Sequence, residues 1–304
     1  MGEIQDGYIF HSLKKYIQLT FACSQHSLTE RITYQIMNNT TNIIWDIGNV
    51  LYPFSRVSEE YYALCNDAHV ELALEIFPML SPEEAQYLVH ECYYTFHDCY
   101  GAFIPVITHY GLDLEETRLR MFKKHYATLF ELLIKHCPDV FGDTTELVDA
   151  FRGISGRVKH GILTQCCMES FGMPALEKLG ILPFFEPRAI FGLDQVGFVK
   201  KAESTNPLRV VLERMDADPE HTCFVEDTLP NLERASEIKG LRCIYINHGK
   251  PLDTVPSFVS NQFCGPADFL RSFGVNPGSD QADGRQGEQG EERQPRITGI
   301  VKFR

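Results

Sequence analysis

Short apolar runs recur through the second half of the chain, each followed by a stretch of helical spacing. Residues 158–164, 188–193, 222–226 and 241–246 read as strands. Helices are expected near 169–179, 207–215 and 230–239, with a short one over 267–273. Strands alternating with helices imply βαβ units on a parallel sheet. One more strand signal, Asn42-Ile43-Ile44-Trp45-Asp46, stands far upstream and must join that sheet.

Between that first strand and the second, residues 55–153 carry helical patterns only. Ser81-Pro82-Glu83-Glu84 places Ser at an N-cap, Pro at N1 and Glu at N3, a capping box. Asp113 with Glu116 repeats the signal, ahead of Leu119, Phe122, Tyr126, Phe130 and Leu133 at helical spacing. Asp143 with Glu146 opens another helix. The expected fold class is α/β: a doubly wound, Rossmann-like parallel sheet with an inserted all-helical unit. The chain divides into an N-terminal extension over 1–41, a core over 42–54 and 154–274, the insert over 55–153, and a tail over 275–304. Met37 would make a natural start for the folded part. The tail is rich in Gly, Gln, Asp and Glu, with Pro277 and Pro295 as breakers, and is expected to be mostly disordered.

Composition narrows the function classes. The 304 residues are 44% hydrophobic and 23% charged, which suits a globular protein. A net charge of −13 argues against binding a nucleic-acid polymer or an anionic membrane through charge. No run of about 18 apolar residues suggests a membrane span. The ten cysteines include no Cys-x-x-Cys pair, so a structural zinc site has no support. With no credible export signal, reduced thiols in a cytoplasmic protein are expected, as a monomer or homodimer.

Four clusters stand at or just beyond strand ends, where a doubly wound sheet binds its ligands. They are Asp46 with Gly48; Thr164 with Gln165; Lys200 with Lys201; and Glu226 with Asp227. Singly, each is ordinary: a turn Asp, a strand Thr, a surface Lys pair, a helix-capping acid pair. In this order they compose a chemistry. A carboxylate can attack a phosphoryl group and form an aspartyl-phosphate. Magnesium takes hard oxygen ligands, which Asp46, a backbone carbonyl two residues on and Asp227 could supply. A Lys, a Thr hydroxyl and backbone N–H groups could then hold the phosphoryl oxygens.

The ordered set resembles the haloacid dehalogenase (HAD) superfamily. The resemblance spans roughly 42–273. It implies that Asp46 is the nucleophile, Thr164 the second-motif hydroxyl, Lys201 or Lys200 the third-motif lysine, and Glu226-Asp227 the acidic pair. Lys201 is preferred because it lies nearer the helix beginning near Pro207. The resemblance also implies Mg2+, held by Asp46, the Gly48 carbonyl and Asp227, with Glu226 acting through water. The 55–153 insert looks like that superfamily's C1 cap. Asn49-Val50-Leu51-Tyr52-Pro53 and Val225-Glu226-Asp227-Thr228-Leu229-Pro230-Asn231-Leu232 are similar to the pyrimidine 5′-nucleotidase branch. The implied activity is hydrolysis of a small phosphorylated metabolite, a pyrimidine nucleoside 5′-monophosphate among the candidates.

Three departures open alternatives. Gly48 replaces the Asp that serves phosphatases as general acid/base, a role worth about 10²–10⁴-fold. The lysine pair is not followed by Pro, and Gln165 stands where Asn is usual, still able to donate an amide N–H. One alternative is a weak or inactive binding or regulatory protein. Another is a dehalogenase, whose halide leaving group needs no proton; the Glu226-Asp227 pair argues against it. Nine of the thirteen tyrosines and six of the eleven histidines fall between residues 52 and 136. Stacking on a base is one reading of these aromatics; Tyr61, Tyr62, Tyr93 and Tyr94 are expected mainly to pack helices, and Cys166 and Cys167 to be buried thiols. Gly192 and Gly197 have P-loop spacing, but Phe198 stands where Lys is required.

Overall fold

The computed structural model describes residues 39–274. The expected extension up to residue 38, Met37 included, and the expected disordered tail from 275 lie outside the described residues. Six strands form one sheet: β1 (Asn42–Trp45), β2 (Lys159–Leu163), β3 (Phe185–Phe191), β4 (Thr222–Glu226), β5 (Arg242–Ile246) and β6 (Asn261–Phe263). All pair in parallel, in the order β3-β2-β1-β4-β5-β6. The α/β, doubly wound sheet expected from the sequence is the fold observed.

The helices are α1 (Glu59–Ile76), α2 (Pro82–Glu91), α3 (Ile104–His109), α4 (Leu114–His136), α5 (Thr145–Ile154), α6 (Met173–Lys178), α7 (Asn206–Met215), α8 (Leu229–Ala235) and α9 (Pro266–Arg271). All four residues of β1 and all five of β4 are buried, as expected for a parallel sheet covered on both faces. Alternation along β1 divides the core. Ile43 and Trp45 face one side, where the Trp45 ring lies 5.4 Å from Phe151 of α5 and 5.6 Å from Phe269 of α9. Ile44 faces the other, with Leu208, Val211 and Met215 of α7 and Leu232 of α8. The last helix of the insert therefore underlies the sheet.

Helices α1 to α4 pack around a cluster of their own, in which the Phe77 and Phe103 rings stack at 5.2 Å. Caps set several starts. Ser81 accepts from the Glu84 N–H at 3.2 Å and Glu84 accepts back from the Ser81 N–H at 2.8 Å. Asp113 accepts from the Glu116 N–H at 2.8 Å. His69 of α1 and His125 of α4 are buried with rings 4.4 Å apart.

Some expectations need correction. Asp143 does not cap α5: it accepts from Thr145 N–H in a local turn, and Thr144 is the N-cap. On α4 the buried face runs through Met121, Phe122, His125 and Leu133, while Leu119 is 36% exposed. The helix expected at 169–179 is a π-helical turn, Met168–Gly172, followed by α6. Strand β3 begins earlier than read, β6 was not foreseen, and α8 ends at Ala235 rather than 239.

Candidate active site

The strand order turns at β1, whose neighbours are β2 and β4. Trp45 pairs with both Ile162 and Val225, so the three strands end level. Residues just beyond them meet at one edge, the crevice where open α/β sheets bind ligands.

Asp46 follows β1 and is 7% exposed. The Lys201 ammonium reaches it at 2.7 Å and reaches Glu226, the last residue of β4, at 2.6 Å. A third, longer contact runs from Lys201 to the Leu163 carbonyl at 3.4 Å. Lys200 turns away: it pairs with Asp98 of the insert at 2.9 Å and donates to the Phe96 carbonyl. Of the two candidates, only Lys201 meets the carboxylates.

Glu226 is saturated by protein donors. One oxygen accepts from Lys201 and from Asn231 Nδ2 at 3.1 Å; the other accepts from the Asp227 and Thr228 N–H groups, each at 3.1 Å. Asp227 accepts from Asn49 Nδ2 at 2.6 Å. Asn49 sits at φ 52°, a left-handed conformation that Asn tolerates better than most residues, and this turn aims its amide across from β1 to β4. Thr164, just beyond β2, is buried beside Asp46 and favours its charged form. Gln165 is half-buried and lines the same cavity.

The acids are crowded. One carboxylate oxygen from each of Asp46, Glu226 and Asp227 lies within 4.8 Å of the others. Burial, with the Glu226 charge adding, pushes Asp46 up to about 6 despite Lys201. Burial and the Glu226 carboxylate push Asp227 up to about 8. Burial opposes charge on Glu226 too, but Lys201 and the donors around it hold that carboxyl below its ordinary value. For Lys201, the two carboxylates outweigh burial and raise its pKa. Three acids facing one ammonium form a donor set that fits a divalent cation, which would relieve the crowding that raises Asp46 and Asp227.

This edge opens into a cavity of ≈ 870 Å³ roofed by α1, α4 and the π-helical turn Cys92–Phe96. Gly48 lines it beside Asp46, and a Cβ at Gly48 would meet Phe54 Cζ at 2.9 Å. The insert is fastened to the loop before Lys201. Phe198 has φ 60°, an outlier for a bulky residue. It is held by Arg118, 4.0 Å above its ring, and by Tyr100 and Phe122, each at 5.2 Å. Cys166 and Cys167 are both buried beside Thr164, and no disulfide is present among the described cysteines.

Sequence reasoning assigned no role to Asn49, Phe54 or Asn231. Asn231 was legible as a polar residue in the first turn after an acidic pair. The reach of Asn49 depends on a backbone conformation that no spacing rule reveals.

No family model and no curated protein matches the sequence. The solved structures it resembles are HAD-superfamily hydrolases. The HAD phosphatase from Thermococcus onnurineus shares 20% identity at a TM-score of 0.49, covering 76% of this chain and 96% of that one. CbbY from Rhodobacter sphaeroides, in complex with phosphate, shares 18% at 0.46, covering 78% and 100%. The 2-haloacid dehalogenase from Pseudomonas syringae pv. Tomato shares 12% at 0.45, covering 77% and 98%. A phosphatase and a dehalogenase stand side by side at this remove, and only side-chain geometry bears on the chemistry. No described helix is long and apolar enough to cross a membrane.

Proposed function

We propose that this chain is a magnesium-dependent phosphatase of the HAD type, hydrolysing a small phosphomonoester through an aspartyl-phosphate on Asp46. The observation that carries the reading is the meeting of Asp46, Lys201, Glu226 and Asp227 at the floor of one cavity. Asp46 attacks phosphorus with one carboxylate oxygen. Lys201 holds a phosphoryl oxygen and keeps Asp46 ionised in a buried setting; Thr164 and Gln165 bind the remaining oxygens. Asp46, the Gly48 carbonyl and Asp227 would hold the magnesium, which supplies charge compensation on the transferring phosphoryl group. Asp227 ranks above Glu226 as a ligand because both Glu226 oxygens already accept from protein donors. Glu226 fixes Lys201 through one oxygen and the Asp227 backbone through the other. Helices α1 to α4 of the 55–153 insert act as the cap that excludes bulk water, while α5 packs against the sheet. A nucleoside 5′-monophosphate, pyrimidine included, is within the candidate substrates, and a cytoplasmic setting accords with the buried, unpaired thiols.

Gly48, with Phe54 against it, favours a second reading: a weakly active or inactive binding protein on the same scaffold. One experiment separates these readings and the dehalogenase one. Phosphate release from a panel of phosphomonoesters is measured with magnesium and with excess chelator. The phosphatase reading expects turnover that chelation abolishes. Ligand-induced stabilisation without turnover would favour the binding protein, and halide release unaffected by chelator would favour the dehalogenase.

A further inference from the structure

The ion network describes how a phosphate is held; two other features describe what the phosphate is attached to. The first is the far wall of the cavity. Among the described residues that line it, Lys201, Asp46, Glu226 and Asp227 are the only charged groups, and no histidine or arginine is present. The wall is built from tyrosines in consecutive pairs: Tyr61 and Tyr62 on α1, Tyr93 and Tyr94 in the π-helical turn. In each pair one hydroxyl is committed to the protein. Tyr61 donates to the Leu129 carbonyl at 3.2 Å, and Tyr93 meets His69 Nδ1 at 3.2 Å. The other member's hydroxyl stays available: Tyr62 is 54% and Tyr94 71% exposed, with no hydrogen-bond partner among the described residues, while one face of Tyr94 stacks on His90 at 4.2 Å and the Tyr62 ring meets Tyr61 edge-on at 5.6 Å. The sequence favoured helix packing for all four; for Tyr62 and Tyr94 the structure shows cavity-facing, largely exposed rings instead. A second anionic group on a ligand would find no cation on this wall, whereas a flat uncharged body would find aromatic faces.

The second feature is position 48. With no side chain there, and Phe54 filling the space a side chain would enter, nothing beside Asp46 stands ready to protonate a departing oxygen. The Glu226 oxygens are taken, and Asp227, which accepts from Asn49 and Thr228, would be ionised once it holds a cation. An aliphatic alkoxide is nearly as basic as hydroxide, whose parent water has a pKa of about 15.7, whereas a phenol ionises near about 10. A site without an acid suits the weaker base.

We propose that the substrate is an aryl phosphomonoester: a single phosphate on the oxygen of an uncharged aromatic ring, which lies against Tyr62 and Tyr94. This rests on the phosphatase reading and deepens it. Asp46 forms a bond to phosphorus as the phosphorus–aryl-oxygen bond breaks, and the electron pair leaves on phenoxide. Water then attacks phosphorus, the bond to Asp46 breaks, and its carboxylate returns. The sum is aryl phosphate plus water giving phenol and inorganic phosphate, with the proton of water ending on phenoxide.

The test measures kcat/KM with magnesium for phenyl and substituted phenyl phosphates and for ethyl and glycerol phosphates. It also measures calorimetric Kd for phenylphosphonate and methylphosphonate, which cannot be hydrolysed at that bond. The parent should bind phenylphosphonate at least tenfold more tightly, and kcat/KM should climb as the leaving-group pKa falls. 4-Carboxyphenyl phosphate should fall below phenyl phosphate. Tyr62→Ala with Tyr94→Ala should cut the phenyl-to-methyl preference about tenfold, the scale of lost aromatic stacking. Gly48→Asp, which requires only the far end of Phe54 to move, should flatten the leaving-group dependence by raising the alkyl esters. Equal Kd for the two phosphonates, or alkyl esters cleaved as well as aryl ones by the parent, overturns the substrate assignment and leaves the phosphatase standing. Selective phenylphosphonate binding with no ester hydrolysed overturns the phosphatase and the substrate claim with it, leaving only an aryl-binding wall.

Discussion

At the sheet edge, Lys201 is 3% exposed and holds two carboxylates; across the cavity, Tyr62 and Tyr94 are more than half exposed and their hydroxyls have no hydrogen-bond partner among the described residues. The edge is assembled from separate segments spread between residues 46 and 227, with β1, β2 and β4 brought level by parallel strand register. The wall is assembled from neighbours in sequence on one helix and one turn. Removing a group from the edge strands a buried charge; removing one from the wall leaves solvent-filled space. The edge therefore couples chemistry to stability, and the wall can vary with little effect on the fold.

The largest expected contrast is at the nucleophile. Asp46→Asn should lower turnover by about 10⁴-fold or more, measured as phosphate release by a variant whose circular dichroism matches the parent. A variant as active as the parent would end the assignment. Lys201→Met should come next, because it leaves Asp46 and Glu226 buried without their cation. Breaking a buried pair from one side costs about 3–5 kcal/mol, read as a fall in the urea midpoint.

Acid should weaken both regions through buried histidines. His160, on β2, accepts from Trp45 Nε1 at 3.1 Å, and burial holds its pKa down at about 4. Burial holds His69, in the cap, at about 4 as well. Unfolded, each would titrate near about 6.5. Between those values the unfolded chain binds protons that the folded chain does not. Stability is then complete above about pH 6.5 and falls as pH drops toward 4, by about 3 kcal/mol for each histidine. Urea midpoints from pH 7 to 4 should show the slope, His160→Gln and His69→Gln should each flatten it, and an unchanged slope would remove that histidine from the account. The smallest effect is expected from Lys200→Met, which loses the tie to Asp98 at 2.9 Å and should cost about 1 kcal/mol. Its clearer mark should be a raised KM, since the cap is less firmly held; a fall in kcat alone would contradict the separation of the two lysines.

The sheet was legible because β1, β2, β4 and β5 each carry a short apolar stretch, and the site because its residues stand at or just beyond strand ends. The shortfalls share one cause. Strand β6 has three half-buried residues, Asn261, Gln262 and Phe263, so it presents no apolar run. The start of β3 includes Glu186 and Pro187, polar or ring-closed positions tolerated at a sheet edge, and its pairing with β2 is irregular between His160 and Ile162. At the candidate site, Lys200 and Lys201 look alike in sequence; only the turn that buries one and half-exposes the other tells them apart. The tyrosines were ambiguous because a ring against a helix and a ring against a cavity have the same spacing. Burial separates them, and burial is a property of the tertiary fold.

One peptide bond joins Lys200, anchored on Asp98 and Phe96 of the cap, to Lys201, anchored on Asp46. In the proposed mechanism, enclosure of the ligand and electrostatic readiness of Asp46 would thus share a mechanical linkage. A swing of the helical layer away from the sheet would tug on the backbone that presents the ammonium, so an open gate and a primed carboxylate would be hard to sustain together.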